Sequence, residues 1–394
     1  MIFFRITHVI VFLLVFKSLR CERRIHNGTT LKTNKKYLVY FVKSEKSQKA
    51  YSGWTCGGAL VTPQFIITAA ACVEDVHYLY AIAGYKTHVQ TEDLESNGCT
   101  KELKKKVVYT CVPKAYDFDY AAVGKWSAID IALAKVDSPY LNPSSYEEKC
   151  SYAPEPIMIN YEPKYQLPGV DAIVMGWGHL ERWRQPGDNQ SYLQKEAHYA
   201  ATQILNKAKC KELYADFPDL QAIIEKYMIC TKESGNLDDQ GNMISTLKPT
   251  ADGCSNENPN CRRMETFNRT SHFNTTDDIN GRRHGICQND HGGPLVTWVG
   301  GHEVLIGVAS VFRVNRDSKC EGPYLFTSTQ CNAAFIYCVL NPDQRRKGSI
   351  CEQPPKKRGF DFIENYITWD KHADVSPHKE KVKIRPQIPI SHFG

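Results

Sequence analysis

Fifteen cysteines in a chain of 394 residues constrain the fold before any other feature does. So many thiols call for an oxidising compartment in which they can bridge, so the chain is expected to be secreted, extracellular and cross-linked. The N-terminus agrees with this. Arg5 and His8 accompany the apolar run Val9 to Phe16, and Lys17, Ser18, Leu19 and Arg20 follow it. A core this short does not span a bilayer but suits a secretory signal over residues 1–20, and no transmembrane segment is expected. The odd count leaves one thiol free, paired between chains, or removed with the signal.

Between the cysteines the chain reads as short strands. Tyr37 to Lys43, Gly57 to Ala71, Leu79 to Tyr85, Lys106 to Pro113 and Asp130 to Val136 are apolar or alternating runs parted by turn residues. Val170 to Gly178, Leu193 to Gln203, Pro294 to Val299, Glu303 to Phe312 and Gly322 to Ser328 continue the pattern. Strands at this spacing predict an all-β sandwich or barrel. A hydrophobic share of 42% and a charged share of 23% suit an ordinary globular chain. The formal charge of +6 permits contact with acidic glycans without requiring it, and no nucleic-acid partner is expected. With no CxxC metal pattern and no Gly-rich phosphate loop, neither a metal nor a cofactor is expected.

Three motifs carry chemistry. They are Gly285-Ile286-Cys287-Gln288-Asn289-Asp290-His291-Gly292-Gly293-Pro294-Leu295, Thr68-Ala69-Ala70-Ala71-Cys72 and Asp130-Ile131-Ala132-Leu133. They resemble the nucleophile, base and orienting-acid segments of the trypsin/chymotrypsin superfamily. Cys56-Gly57-Gly58-Ala59-Leu60, Gly176-Trp177-Gly178 and Gly322-Pro323-Tyr324 fall in the family's order. The resemblance implies two six-stranded antiparallel β-barrels of the chymotrypsin-like fold, with a C-terminal helix, a long surface insertion and a basic tail. It also implies a degenerate triad: Ala71 stands for the base, His291 for the nucleophile, and only Asp130 is retained. A hydroxyl needs a base to attack a carbonyl, and neither group is present, so catalysis is expected to be lost.

Further positions follow from the same resemblance. Asn289 takes the oxyanion-hole position, and Asn tolerates the unusual backbone angles that the loop requires. Gly285, Ser310 and Phe312 match the specificity pocket, with Phe312 expected to obstruct its entrance. Arg24 and Ile25 match an activation site whose new ammonium would meet Asp290. Cys56 is expected to pair with Cys72, Cys210 with Cys230, Cys287 with Cys320, and Cys150 with Cys21 of the short propeptide 21–24. Cys99 with Cys111 and Cys254 with Cys261 are local expectations, and Cys331, Cys338 and Cys351 are left unassigned. His291 reads as a surface or crevice histidine without chemistry.

The protease-like domain is expected over residues 25–340, with an insertion at 231–286 that is polar and reads as a long surface loop. Asn27, Asn189, Asn268 and Asn274 begin glycosylation acceptors. Residues 341–394 form a basic extension whose single apolar stretch, Phe360 to Trp369, is expected to dock as a helix or a strand. The function expected is a secreted, non-catalytic protein-binding role, as a cofactor, decoy or adaptor for extracellular proteins including active serine proteases. An endopeptidase with an unconventional site and a glycan-binding protein are the alternatives.

Overall fold

The computed structural model describes residues 29–47, 53–116 apart from 75 and 77, 123–243 apart from 142, 181, 186–187 and 189, then 285–344, 351 and 362–369. The signal and propeptide, Arg24, Ile25, Cys21, Cys254, Cys261 and the acceptors Asn27, Asn189, Asn268 and Asn274 lie outside the described residues.

Six strands close the first barrel. They are β2 (Leu38–Lys43), β3 (Cys56–Leu60), β4 (Phe65–Thr68), β5 (Leu79–Ala83), β6 (Lys105–Pro113) and β7 (Ala132–Val136). Their order is β6-β5-β2-β3-β4-β7, and a β6–β7 pairing completes the ring. The second barrel holds β9 (Asp171–Gly176), β10 (His198–Ile204), β11 (Met228–Ser234), β12 (Pro294–Val299), β13 (His302–Val314) and β14 (Cys320–Ser328), with two short strands, β1 (Thr29–Thr30) and β8 (Met158–Ile159), paired outside its ring on β10 and β13. It runs β10-β11-β14-β13-β12-β9 and closes through β10–β9. All of these ring pairings are antiparallel, which gives two closed six-stranded barrels, and closure removes the open edges that a sheet would otherwise expose. The strands are buried on successive residues, as in Leu38–Val42 and Leu79–Ala83. Their apolar runs therefore read as continuous because both faces are covered, one by the barrel interior and one by loops.

Strand β11 carries a correction. The insertion expected from residue 231 begins later, because Thr231–Ser234 continue this strand against β10 and β14. Charged residues at Lys232 and Glu233 hide it from an apolar pattern. Beyond it, Asp239 holds the N-terminal segment, accepting the Lys32 and Thr33 amides at 2.6 and 2.8 Å.

The extension also contributes a strand. β15 (Phe362–Tyr366) lies antiparallel on β6, with Phe362 opposite Pro113 and Tyr366 opposite Tyr109. Trp369 anchors its end: its indole N–H donates to Val107 O at 2.8 Å, and its ring lies 5.3 and 5.1 Å from those of Tyr78 and Tyr80. Cys338, on the C-terminal helix Ala333–Leu340, bonds Cys351 at the root of this extension.

Disulfides join Cys56 to Cys72, Cys210 to Cys230 and Cys287 to Cys320. Two expected pairings are overturned, because Cys150 bonds Cys99 rather than Cys21, and Cys99 is thereby taken from Cys111. The reason is packing. Cys99 sits on the helix Gly98–Leu103, which lies against the helix Pro143–Lys149 that leads into Cys150, whereas Cys111 is buried in the first-barrel core on β6. Cys331 is a free, half-buried thiol.

Candidate functional site

The site forms where the barrels meet, around one buried carboxylate. Asp130 ends a turn just before β7 and is 0% exposed. Such a burial is costly unless the charge is hydrogen-bonded, and here three donors converge on it. Ala71 N–H donates to Oδ1 at 3.0 Å, while His291 Nε2 and Ser310 Oγ each lie 2.7 Å from Oδ2. A carboxylate only accepts, so the imidazole carries its proton on Nε2. The position that reads as a surface or crevice histidine is therefore buried, at 6% exposure, with its ring turned toward the first barrel. Alanine at 71 leaves room beside Asp130, and the imidazole at 291 reaches it from the opposite barrel.

The preceding residues shape the loop. Asn289 has φ +72°, left-handed backbone that non-glycine residues rarely adopt. Its side chain secures that conformation, since Nδ2 donates to Gly53 O at 3.1 Å and to His179 Nε2 at 3.2 Å. His179 Nδ1 lies 2.9 Å from Arg182 O, which places the proton on Nδ1 and leaves Nε2 to accept. His179 follows Gly176-Trp177-Gly178 directly, and nothing in the sequence marked it as a partner of Asn289.

Asp290 points the other way, into the second barrel. Its Oδ1 accepts Gly178 N–H at 3.0 Å and its Oδ2 accepts Cys287 N–H at 2.9 Å. The two glycines of Gly176-Trp177-Gly178 make room for it, because a Cβ at either would lie within 2.5 Å of the carboxylate.

The pocket positions are packed shut. Phe312 is buried, with its ring centroid 5.9 Å from that of Trp183, in an apolar cluster with Ile286, Tyr324 and Phe326. Gly285 lies beneath the Tyr324 ring, and a Cβ there would sit 2.1 Å from it. No acidic side chain fits at 285 in this arrangement. Ser310, matched to the pocket strand in sequence, has its hydroxyl on Asp130 instead of facing the pocket. Among the described residues no cluster of three metal-ligating side chains occurs.

Comparisons with known proteins find similarity over part of the chain. The trypsin family model matches residues 25–243, more than half of the chain. A venom serine protease of Polistes dominula is 27% identical over 209 residues, covering 51% of this chain and 64% of that protein. Snake venom serine protease 2B of Craspedocephalus gramineus is 27% identical over 165 residues, 41% of this chain and 51% of its own length. The chain thus spans about half to two thirds of these relatives. A crystal structure of the scabies mite inactivated protease paralogue S-D1 superposes with a TM-score of 0.47 at 17% identity, over 80% of this chain and 97% of that one. With the family model matched over more than half its length, this chain belongs to the trypsin family.

Proposed function

We propose that the chain is a secreted, non-catalytic serine protease homologue that acts by binding extracellular proteins, active serine proteases among them, as a cofactor, decoy or adaptor. The bond between His291 and Asp130 carries this reading. In a working triad the acid orients a base that takes the proton of a nucleophilic hydroxyl. Here the acid is engaged by the side chain at the nucleophile's own position, with a methyl group at the base position. Losing nucleophile and base in such a triad costs on the order of 10^6 in turnover. The pocket supports the same conclusion, because Phe312 occupies space that a substrate side chain would need.

Secretion is supported by the five disulfides among the described residues, which form and persist in oxidising compartments. Among the described residues no helix is long and apolar enough to cross a membrane.

The test uses the secreted full-length protein. A fluorophosphonate probe is expected to leave it unlabelled, and a fluorogenic peptide library is expected to remain uncut. Covalent labelling of a serine hydroxyl beside Asp130, such as that of Ser310, would overturn the reading. Capture of active serine proteases on the immobilised protein, with their peptidase activity altered, would identify the partner class.

A further inference from the structure

A clasp outside the site joins the two barrels. After β5 the chain crosses the seam at residues 86–89 and runs beside residues 195–197, which lead into β10. Ala197 N–H donates to Lys86 O at 3.1 Å and His88 N–H donates to Lys195 O at 2.7 Å, with Thr87 bridged to Glu196 between them. Side chains lock the crossing from both barrels. Trp177 Nε1–H donates to Lys86 O at 2.7 Å, Tyr40 Oη–H donates to Thr87 O at 3.1 Å, and Val89 N–H donates to Tyr40 Oη at 3.1 Å.

Two histidines flank this clasp and differ in how they would take a proton. The His198 Nδ1 lies 2.7 Å from Glu196 O and its Nε2 lies 3.3 Å from Thr30 Oγ1. A carbonyl accepts and a hydroxyl either donates or accepts, so rotation of the Thr30 hydroxyl suits both charge states. His88 has no such freedom. Its ring centroid lies 4.7 Å from that of Tyr40, with the planes tilted by 36°, and its Nε2 is closed off from solvent with no hydrogen-bond partner, although the residue remains partly exposed. The ionisable side chains on the clasp strands and the packed ring are Lys86, Lys195, Glu196 and Tyr40. Glu196 Oε1 accepts from Thr87 Oγ1 at 2.9 Å and so is directed elsewhere. The Tyr40 ring is packed against the imidazole, and its attraction for a cation is weaker than a carboxylate bond.

We propose that His88 makes the inter-barrel clasp acid-labile, so that the seam between residues 86–89 and 195–197 is held at neutral pH and loosened in mildly acidic surroundings. Protonation makes both ring nitrogens donors and spreads the charge over the ring, so Nε2 would be a charged donor enclosed without an acceptor, and opening the clasp returns it to water. Burial pushes the imidazole down from 6.5 to about 4. The open form therefore binds more protons between these values. The clasp has its full strength above pH 6.5, weakens as pH falls toward 4, and changes no further below that. This device lies apart from the Asp130 site and does not depend on the absence of catalysis.

Hydrogen exchange on the full chain, corrected for intrinsic rates, tests it. Amides of residues 86–89 and 195–197 are expected to lose protection by up to about thirtyfold between pH 7.5 and pH 5, the factor implied by the two values above. His88→Phe keeps an aromatic ring on Tyr40 without a titrating group and is expected to abolish that loss, while His198→Gln is expected to retain it. Wild-type protection that stays level, or an equal loss in His88→Phe, would overturn the proposal. Should His88→Phe fail to fold, the imidazole resonances of wild-type His88 decide: a ring still neutral at pH 5 supports the clasp, and one titrating near 6.5 overturns it.

Discussion

His291 and Asp130 approach from opposite barrels and meet with Nε2 2.7 Å from Oδ2, both side chains buried. The pair is an inter-barrel contact assembled from two positions that serve different steps in an active relative. Restoring a hydroxyl in place of the imidazole therefore removes a structural partner and supplies no base. His291→Ser alone is expected to show no peptidase turnover, and Ala71→His with His291→Ser only weak turnover while Phe312 fills the pocket. Fluorogenic peptide assays check this, and robust hydrolysis by the single variant would contradict it.

Asp130→Ala strands the Ser310 and His291 donors and the Ala71 amide at once. Each buried donor left without an acceptor costs about 1 to 3 kcal/mol, so a loss of roughly 3 kcal/mol or more is expected. Asp130→Asn keeps an acceptor for the Ala71 amide and should cost less. Urea unfolding of the two variants ranks them, and equal losses would mean that a neutral acceptor recovers nothing and that the contact needs the carboxylate itself.

Phe312→Ala should hollow the pocket. Removing a buried aromatic ring costs about 3 to 5 kcal/mol, and the cavity left beside Trp183 is apolar. The variant is expected to bind indole or benzene, as dry engineered cavities do, while the wild type does not. Calorimetry with indole separates the two.

Cutting the chain at Arg262-Arg263 or Arg282-Arg283 should leave its halves joined without a covalent link. Among the described residues every disulfide lies wholly before residue 244 or wholly after residue 284. The pairings of β11 with β14 and of β9 with β12 would then hold the fragments together. Co-elution in native gel filtration and separation in detergent without reductant are expected. Fragments that part only after reduction would show a bridge across the cut.

Trp369→Ala should loosen β15 from β6. The indole is half-buried, donates one hydrogen bond, and lies against Tyr78 and Tyr80. A loss of about 2 kcal/mol is expected, less than for a fully buried tryptophan. Thermal denaturation measures it, and hydrogen exchange at residues 109–113 should rise in parallel.

The sequence makes the barrels legible wherever burial on both faces produces an apolar run, as in Tyr37 to Lys43. It hides β11, whose charged residues interrupt the pattern, and β15, whose half-buried residues alternate too weakly to distinguish strand from helix. The motifs locate Ala71, Asp130 and His291, but local spacing cannot show that the ring at 291 turns to the opposite barrel. That orientation depends on space left by a residue 220 positions away in the chain. The disulfide at Cys150 illustrates the same limit, because its partner is chosen by two helices packing together. His179 carries no motif at all, and its role follows from the backbone angle at Asn289.

The three donors on Asp130 also couple positions 71 and 291 to each other. A histidine placed at position 71 would find its acceptor already engaged by His291 and Ser310, so that change is expected to bring strain before any gain. A serine placed at 291 loses an interior contact. Each change is expected to alter the effect of the other, because both act on one carboxylate. The two positions behave as an interlock: neither is expected to be changed alone without loss.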